Sequence, residues 1–347
     1  MKSIAVIDEF ENINSARAAQ IGEIRQQTGA DVLVAVMSGN FLQCGLPAKE
    51  SAQVRAQKAL EAGVDVVFER PVYTALTSLD TYVQSGIALL DKLKGIDEIC
   101  VPISIRESSL VDEITLFLFS EPKSFQETLK KYRRQGHPFY EAQAKVIEHV
   151  YPGVGMLLRE TVNYTAFECL KALKRMYSRI KPCYLPEIYF PQKALPQEES
   201  YRKADGFFKF MKYEMILIRE KMNQIYGGSS TLTARLLEQA ESFDHYKPFV
   251  DACVTNEHTA EDISRFLFHL LLGIGKSDIA MSRMYDSAPY AHLMGCRSSA
   301  REWVDELKKK SRIPVIEKAE NDVLKMNSTC RELFDMELRA EAIYHMV

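Results

Sequence analysis

The sequence predicts an α/β fold, a Rossmann-like parallel sheet followed by a mainly α-helical region, on three observations. Short apolar runs at 4–7, 32–37, 64–68 and 99–103 are rich in Val and Ile on consecutive positions, as strands buried on both faces of a parallel sheet are. Between them lie stretches of helical character at 15–28, 47–62 and 78–94, closed by Gly29, Gly63 and Gly95. Glycine just past a last turn takes the left-handed conformation without steric cost. Beyond about residue 104 the strand signal fades and helices dominate, with 184–190 the one further strand expected.

The first run leads into Asp8 and Glu9 with no glycine before the helix at 15, so the loop is neither a Walker loop nor a dinucleotide fingerprint. The second run leads into Ser38-Gly39-Asn40-Phe41-Leu42-Gln43-Cys44-Gly45-Leu46-Pro47, a turn whose amides suit an anion or a ribose. Strict alternation of strand and helix places both loops at the carboxyl ends of the strands, where open sheets bind ligands. In the later half, helical spacing runs through 122–134, 141–149, 164–180, 207–225, 230–240, 260–272 and 300–310.

With 347 residues and a prior of about 150 per domain, two domains are expected. Pro182, Pro186, Pro191 and Pro196 mark 181–203 as a linker between 1–180 and 204–347. Forty-four basic residues against 47 acidic ones give a net charge of −3, which excludes a global field for nucleic acid or anionic membrane. Any nucleic-acid contact is then a local patch. The seven cysteines are far apart, so no metal site is expected and a reduced, cytoplasmic protein is. Apolar runs fall short of the ~20 residues that span a bilayer, and no signal peptide is seen before Asp8. Cys44 reads as a packed thiol, since the first histidine of the chain is His137 and no imidazole stands near to activate it.

Met37-Ser38-Gly39-Asn40-Phe41-Leu42-Gln43, with Gly45 and Pro47-Ala48, resembles the MSGNFxQRGEPA signature of the bacterial tRNA(Met) cytidine acetate ligase family. The resemblance continues through Arg55, Ala59-Leu60, Ala62-Gly63, Asp65, Glu69 and Pro71, against RARMALEAGADLVIELP, and through Asn163, Glu168 and 170–175, against NNILGxEYLKALKR. It extends to His269, 271–274, 288–290 and Pro314, so it spans nearly the whole chain in order. It implies a nucleotidyltransferase-type domain, ATP with magnesium, adenylation of acetate, and transfer of acetyl to the wobble cytidine of elongator tRNA(Met).

The resemblance also implies a first-strand loop like EYNPFHNGH, whose two histidines stabilise phosphate charge. Glu9 and Phe10 match its start, but Asn14 and Arg17 stand at the histidine positions and Ala16 at the glycine between them. Glu9, Asn14, Ala16, Arg17 and Asn163 are therefore expected as positions of a degenerate nucleotide site, with no catalytic residue. Ser38, Gly39, Asn40, Gln43 and Arg55 are expected to shape its cleft, with Asn40 dispensable for stability. Lys171, Lys174 and Arg175 are expected to form a cationic face for tRNA, opposite a core face of Phe167, Leu170 and Leu173. The expected function is a divergent ligase homologue with weak or no catalysis. Alternatives are an active ATP-dependent RNA-modifying ligase using substitute residues, and a non-enzymatic protein-interaction module.

Overall fold

The structure is a computed structural model that describes residues 1–137, 139–186, 198–318 and 322–347. The chain opens with strand β1 (Ser3–Ile7), helix α1 (Ser15–Thr28), β2 (Val32–Ser38), α2 (Ala52–Glu61), β3 (Val66–Arg70), the single turn α3 (Val72–Ala75) and α4 (Leu79–Leu93). β1 pairs in parallel with β2 from Ser3–Val32 to Ile7–Val36, and β2 with β3 from Val34–Val66 to Ser38–Arg70. All seven residues of β2 are buried, as the uninterrupted apolar run requires. Asn14 caps α1, its Oδ1 accepting from Arg17 N at 2.9 Å. Ser51 caps α2, so that helix starts later than the expected 47.

The next stretch holds β4 (Glu98–Pro102), α5 (Ser108–Ser120), α6 (Lys123–Arg134), α7 (Phe139–Val150), α8 (Thr161–Arg175) and β5 (Lys181–Leu185). β4 and β5 pair in parallel from Glu98–Lys181 to Pro102–Leu185. The strand expected at 184–190 thus lies earlier, and 187–190 falls outside the described residues. Pro182 is tolerated because proline fits at the first residues of an edge strand.

The chain continues with α9 (Glu198–Leu217), α10 (Ser230–Gln239), α11 (Tyr246–Cys253), α12 (Ala260–Leu272), α13 (Lys276–Arg283), β6 (Ala291–Cys296), α14 (Arg301–Lys310), β7 (Val315–Ile316) and α15 (Ser328–Tyr344). Two of these elements correct the helical reading of the C-terminal half. β6 pairs antiparallel with β3, Glu69 opposite His292, and β7 pairs in parallel with β6. Ala, His, Met and Gly in β6 carry weak strand preference, so pairing with β3 rather than local propensity sets its conformation.

The described residues of Met1–Ile96 and Leu195–Val347 form one compact unit and those of Asp97–Ala194 a second. The expected boundaries lie at 180/181 and 203/204, whereas the compact units divide at 96/97 and 194/195. In the first unit the strand order is β1-β2-β3-β6-β7. Its apolar core joins Phe41, Val72 and Tyr73 to Phe207, Phe208, Met211, Phe249, Phe266, Phe268 and Phe334. The expected stop at Gly95 also differs: Lys94 takes the left-handed conformation at φ 57°. Gly95 is instead the point where Leu307 packs, because a Cβ there would overlap its Cδ1.

Candidate functional site

The ends of β1 and β2 and the loops after them carry most of the residues that the sequence singles out. Phe41 anchors the second loop. It is fully buried, its ring 5.3 Å from Phe268, 6.2 Å from Phe207 and 6.1 Å from Tyr344. Leu42 N donates to Leu46 O at 2.9 Å and Gly45 N to Leu42 O at 2.9 Å, with Gly45 at φ 82°. The loop therefore closes on itself before α2 begins.

Each expected cleft residue has a partner inside this unit. Ser38 N and Oγ donate to Glu9 at 3.1 and 2.7 Å. Gly39 sits against Glu69, whose Oε1 a Cβ would overlap. Asn40 is 4% exposed; its Oδ1 accepts from Ala52 N at 2.7 Å and its Nδ2 donates to Glu341. That corrects the expectation of a dispensable cleft residue, since Asn40 ties α2 and α15 to the loop. Gln43 Nε2 donates to Thr77 O at 3.0 Å. Arg55 is fully buried, donating to Glu9 O at 2.5 Å, Ser38 O at 3.0 Å, Glu50 O at 3.3 Å and Gly39 O. Its guanidinium joins the ends of β1 and β2.

The loop after β1 is arranged in the same way. Arg17 is 6% exposed and ion-paired with Asp8, both side chains almost wholly out of water. Its neighbour Ala16 and the capping residue Asn14 are exposed. Glu9 accepts from Tyr82 OH at 2.7 Å as well as from Ser38, and lies 3.8 Å from Arg55 Nη1. Burial pushes the Tyr82 phenol up, so it stays a donor. Glu11 accepts from Lys49 N at 3.1 Å, and burial raises its carboxyl. Burial likewise pushes the Cys44 thiol up to about 12, and Cys44 packs against the core, as the packed-thiol reading expects.

Sequence reasoning missed three further groups. Arg70, 1% exposed, stacks on Tyr82 with Cζ 3.5 Å from the ring centroid and donates to Tyr82 O at 2.5 Å. His292 Nδ1 lies 2.6 Å from Glu69; burial pulls the imidazole down, but the adjacent carboxylate outweighs this and holds it above its ordinary value. Glu337 is buried, accepting from Val72 N at 2.7 Å and Tyr290 OH at 3.0 Å, and burial holds its carboxyl well above the usual range. A signal existed for the last. Cys330, Leu333, Phe334, Ala340 and Tyr344 are the buried face of α15, and Glu337 falls on the same helical spacing.

Two expected groups lie in the second unit. Asn163 is fully buried; its Oδ1 accepts from Ser104 N at 3.0 Å, and its Nδ2 donates to Ser104 Oγ, Leu157 O and Glu160 at 2.7, 2.9 and 2.8 Å. Lys171 departs from the expected cationic face: it is buried, with Nζ 2.7 Å from Glu168. Only Lys174 and Arg175 of the three are exposed. The helix turns its i and i+3 positions to one side, and Glu168 with Lys171 fall on the side of Phe167 and Leu170. Among the described residues no group of His, Cys, Asp and Glu is arranged to hold a metal ion, and no helix is long and apolar enough to cross a membrane.

A family model for HIGH nucleotidyl transferases matches residues 1–187 and 184–347, and the chain belongs to that family. Within it the relatives agree on one activity. The tRNA(Met) cytidine acetate ligase of Clostridium perfringens is 23% identical over 99% of this chain and 95% of its own length, and that of a Thermoanaerobacter species is 26% identical with the same coverage. Membership of the tRNA(Met) cytidine acetate ligase family, expected from the motifs, thus holds along the full length. The crystal structure of Thermotoga maritima TmcAL bound with alpha-thio ATP superposes with a TM-score of 0.88 at 19% identity, covering all of this chain and 94% of that one. The apo form of TmcAL gives 0.86 at 18%. The nucleotidyltransferase-type fold follows from these likenesses.

Proposed function

We propose that this chain is a tRNA(Met) cytidine acetate ligase homologue in which adenylation is lost or nearly lost, while RNA remains its partner. The observation that carries this reading is the buried ion pair of Arg17 with Asp8. Arg17 stands where the family's loop has its second histidine, and its charge is already neutralised within the loop. Asn14, at the first histidine position, is engaged in capping α1.

The residues present do not fit a triphosphate with its magnesium. Developing phosphate charge needs donors fixed in place and left without other partners, whereas Ser38, Tyr82 and Arg55 converge on Glu9. Glu9 and Glu11 add negative charge at the same strand end, which repels phosphate.

The test is acetate-dependent exchange of labelled pyrophosphate into ATP, which requires reversible adenylate formation and nothing else. The reading predicts exchange at the level of a protein-free control. Exchange that depends on both acetate and protein overturns it, in favour of an active ligase using substitute residues.

A further inference from the structure

With Lys171 paired to Glu168, the exposed positive charge of the second unit gathers elsewhere. α6 carries five cations, Lys123, Lys130, Lys131, Arg133 and Arg134, against one carboxylate, Glu127. The last four lie within the final turn and a half, and all four are exposed. Among the described residues Lys130, Lys131 and Arg134 have no ion-pair partner. Phe125, 1% exposed and 5.6 Å from the Phe117 ring, holds the opposite face of the helix to the unit. The cationic side therefore faces solvent.

A helix C-terminus attracts cations through its dipole, but that effect fades within the last turn and is met by one or two groups. Arg133 is engaged just beyond the helix end, its Nη1 donating to His137 O at 2.8 Å. Three more cations, Lys130, Lys131 and Arg134, against the single carboxylate Glu127 leave a net positive face that suits a polyanion. Aromatic groups are interleaved with them. Lys145 Nζ of α7 lies 5.4 Å from the Tyr132 ring, Tyr132 and His137 meet edge to face at 6.0 Å, and Phe139 is 47% exposed at the start of α7. Opposing charges nearby are Glu127, one helical turn before Lys130 and Lys131, and Glu141, 3.2 Å from His137 Nδ1. Cations track a phosphate backbone while exposed rings stack on unpaired bases, and this combination separates single-stranded or looped RNA from an acidic protein surface.

We propose that the C-terminal turn of α6, with Phe139, is an RNA-binding surface: Lys130, Lys131 and Arg134 neutralise backbone phosphates and Phe139 stacks on an unpaired base. This rests on the reading that RNA remains the partner, and not on any catalytic step. The experiment measures binding of fluorescein-labelled tRNA(Met) transcript to the full chain across a salt series, without ATP or acetate. Each phosphate contact contributes about 0.7 to the log-log slope for single strands, so the Lys130→Gln, Lys131→Gln, Arg134→Gln triple variant is expected to lose about 2 from the slope. Phe139→Ala is expected to weaken binding with the slope unchanged, a split that loss of fold would not produce. Far-UV circular dichroism melts identical to wild type accompany both. A Lys174→Gln, Arg175→Gln variant is expected to alter the slope less than the triple variant does.

Wild-type binding that the triple variant leaves unchanged overturns the surface and spares the partner reading. Absence of tRNA binding by the wild type at low salt overturns both. Equal retention on anionic lipid vesicles and on tRNA, lost together in the triple variant, also overturns the proposal, because it marks an unselective cation cluster.

Discussion

Arg17 and Asp8 are each about nine-tenths removed from water, so either charge alone would be stranded. Breaking one side of a buried pair costs about 3 kcal/mol or more, because the remaining ion keeps its desolvation penalty. Arg17→Ala is therefore expected to lower the unfolding free energy by about 3 kcal/mol, and Asp8→Asn in the same chain to restore much of it. Denaturant titration of both variants measures this. Glu337 gives a pH-dependent counterpart. Burial, with Glu69 and Glu341 nearby, raises its folded pKa well above 4.5, against hydrogen bonds from Val72 N and Tyr290. The folded chain then holds a proton that the unfolded chain releases, so this group's contribution is present below pH 4.5 and is lost as pH rises through the raised value. Glu337→Gln keeps the two acceptor contacts without the titration. It is expected to gain stability relative to wild type as pH goes from 5.5 to 8, read from unfolding curves at both values. A gap between the two proteins that does not change with pH would contradict it.

At the scale of elements, the loop from β2 to α2 shows what the motif does here. Asn40→Ala removes the acceptor for the buried Ala52 N and a donor to the half-exposed Glu341, and leaving the buried amide unsatisfied costs about 1 to 3 kcal/mol. A fall of about 2 kcal/mol is expected in thermal or denaturant unfolding, whereas a variant within about 0.5 kcal/mol of wild type would mark an ordinary surface position. Parallel strands β1 to β3 were legible because burial on both faces writes an unbroken apolar run. β6 was not: its residues are weak strand formers, and its conformation follows from pairing with a strand more than 200 residues away in sequence. The loop's composition was legible as a site, but its hydrogen bonds were not. Polar side chains that serve a ligand and those that serve one another have the same letters, and only the partners Ala52, Glu341 and Tyr82 separate the two. Lys171 shows the same ambiguity, since Glu168 three residues earlier both matches the family motif and serves as its buried counter-ion.

Along the whole chain, the relatives and solved structures match from end to end, so the scaffold is retained throughout. The substitutions at Asn14, Ala16 and Arg17 are mutually consistent: one caps a helix, one is exposed on it, and one neutralises the acid that ends β1. Local and global preferences agree there, as in a loop selected to be stable in itself. The proposed loss of adenylation requires that this strand end not bind a nucleotide. Isothermal titration calorimetry of ATP with magnesium into the folded wild-type chain tests it most directly. The account predicts no saturable heat at micromolar protein and up to millimolar ATP; a one-to-one isotherm with micromolar affinity would contradict it.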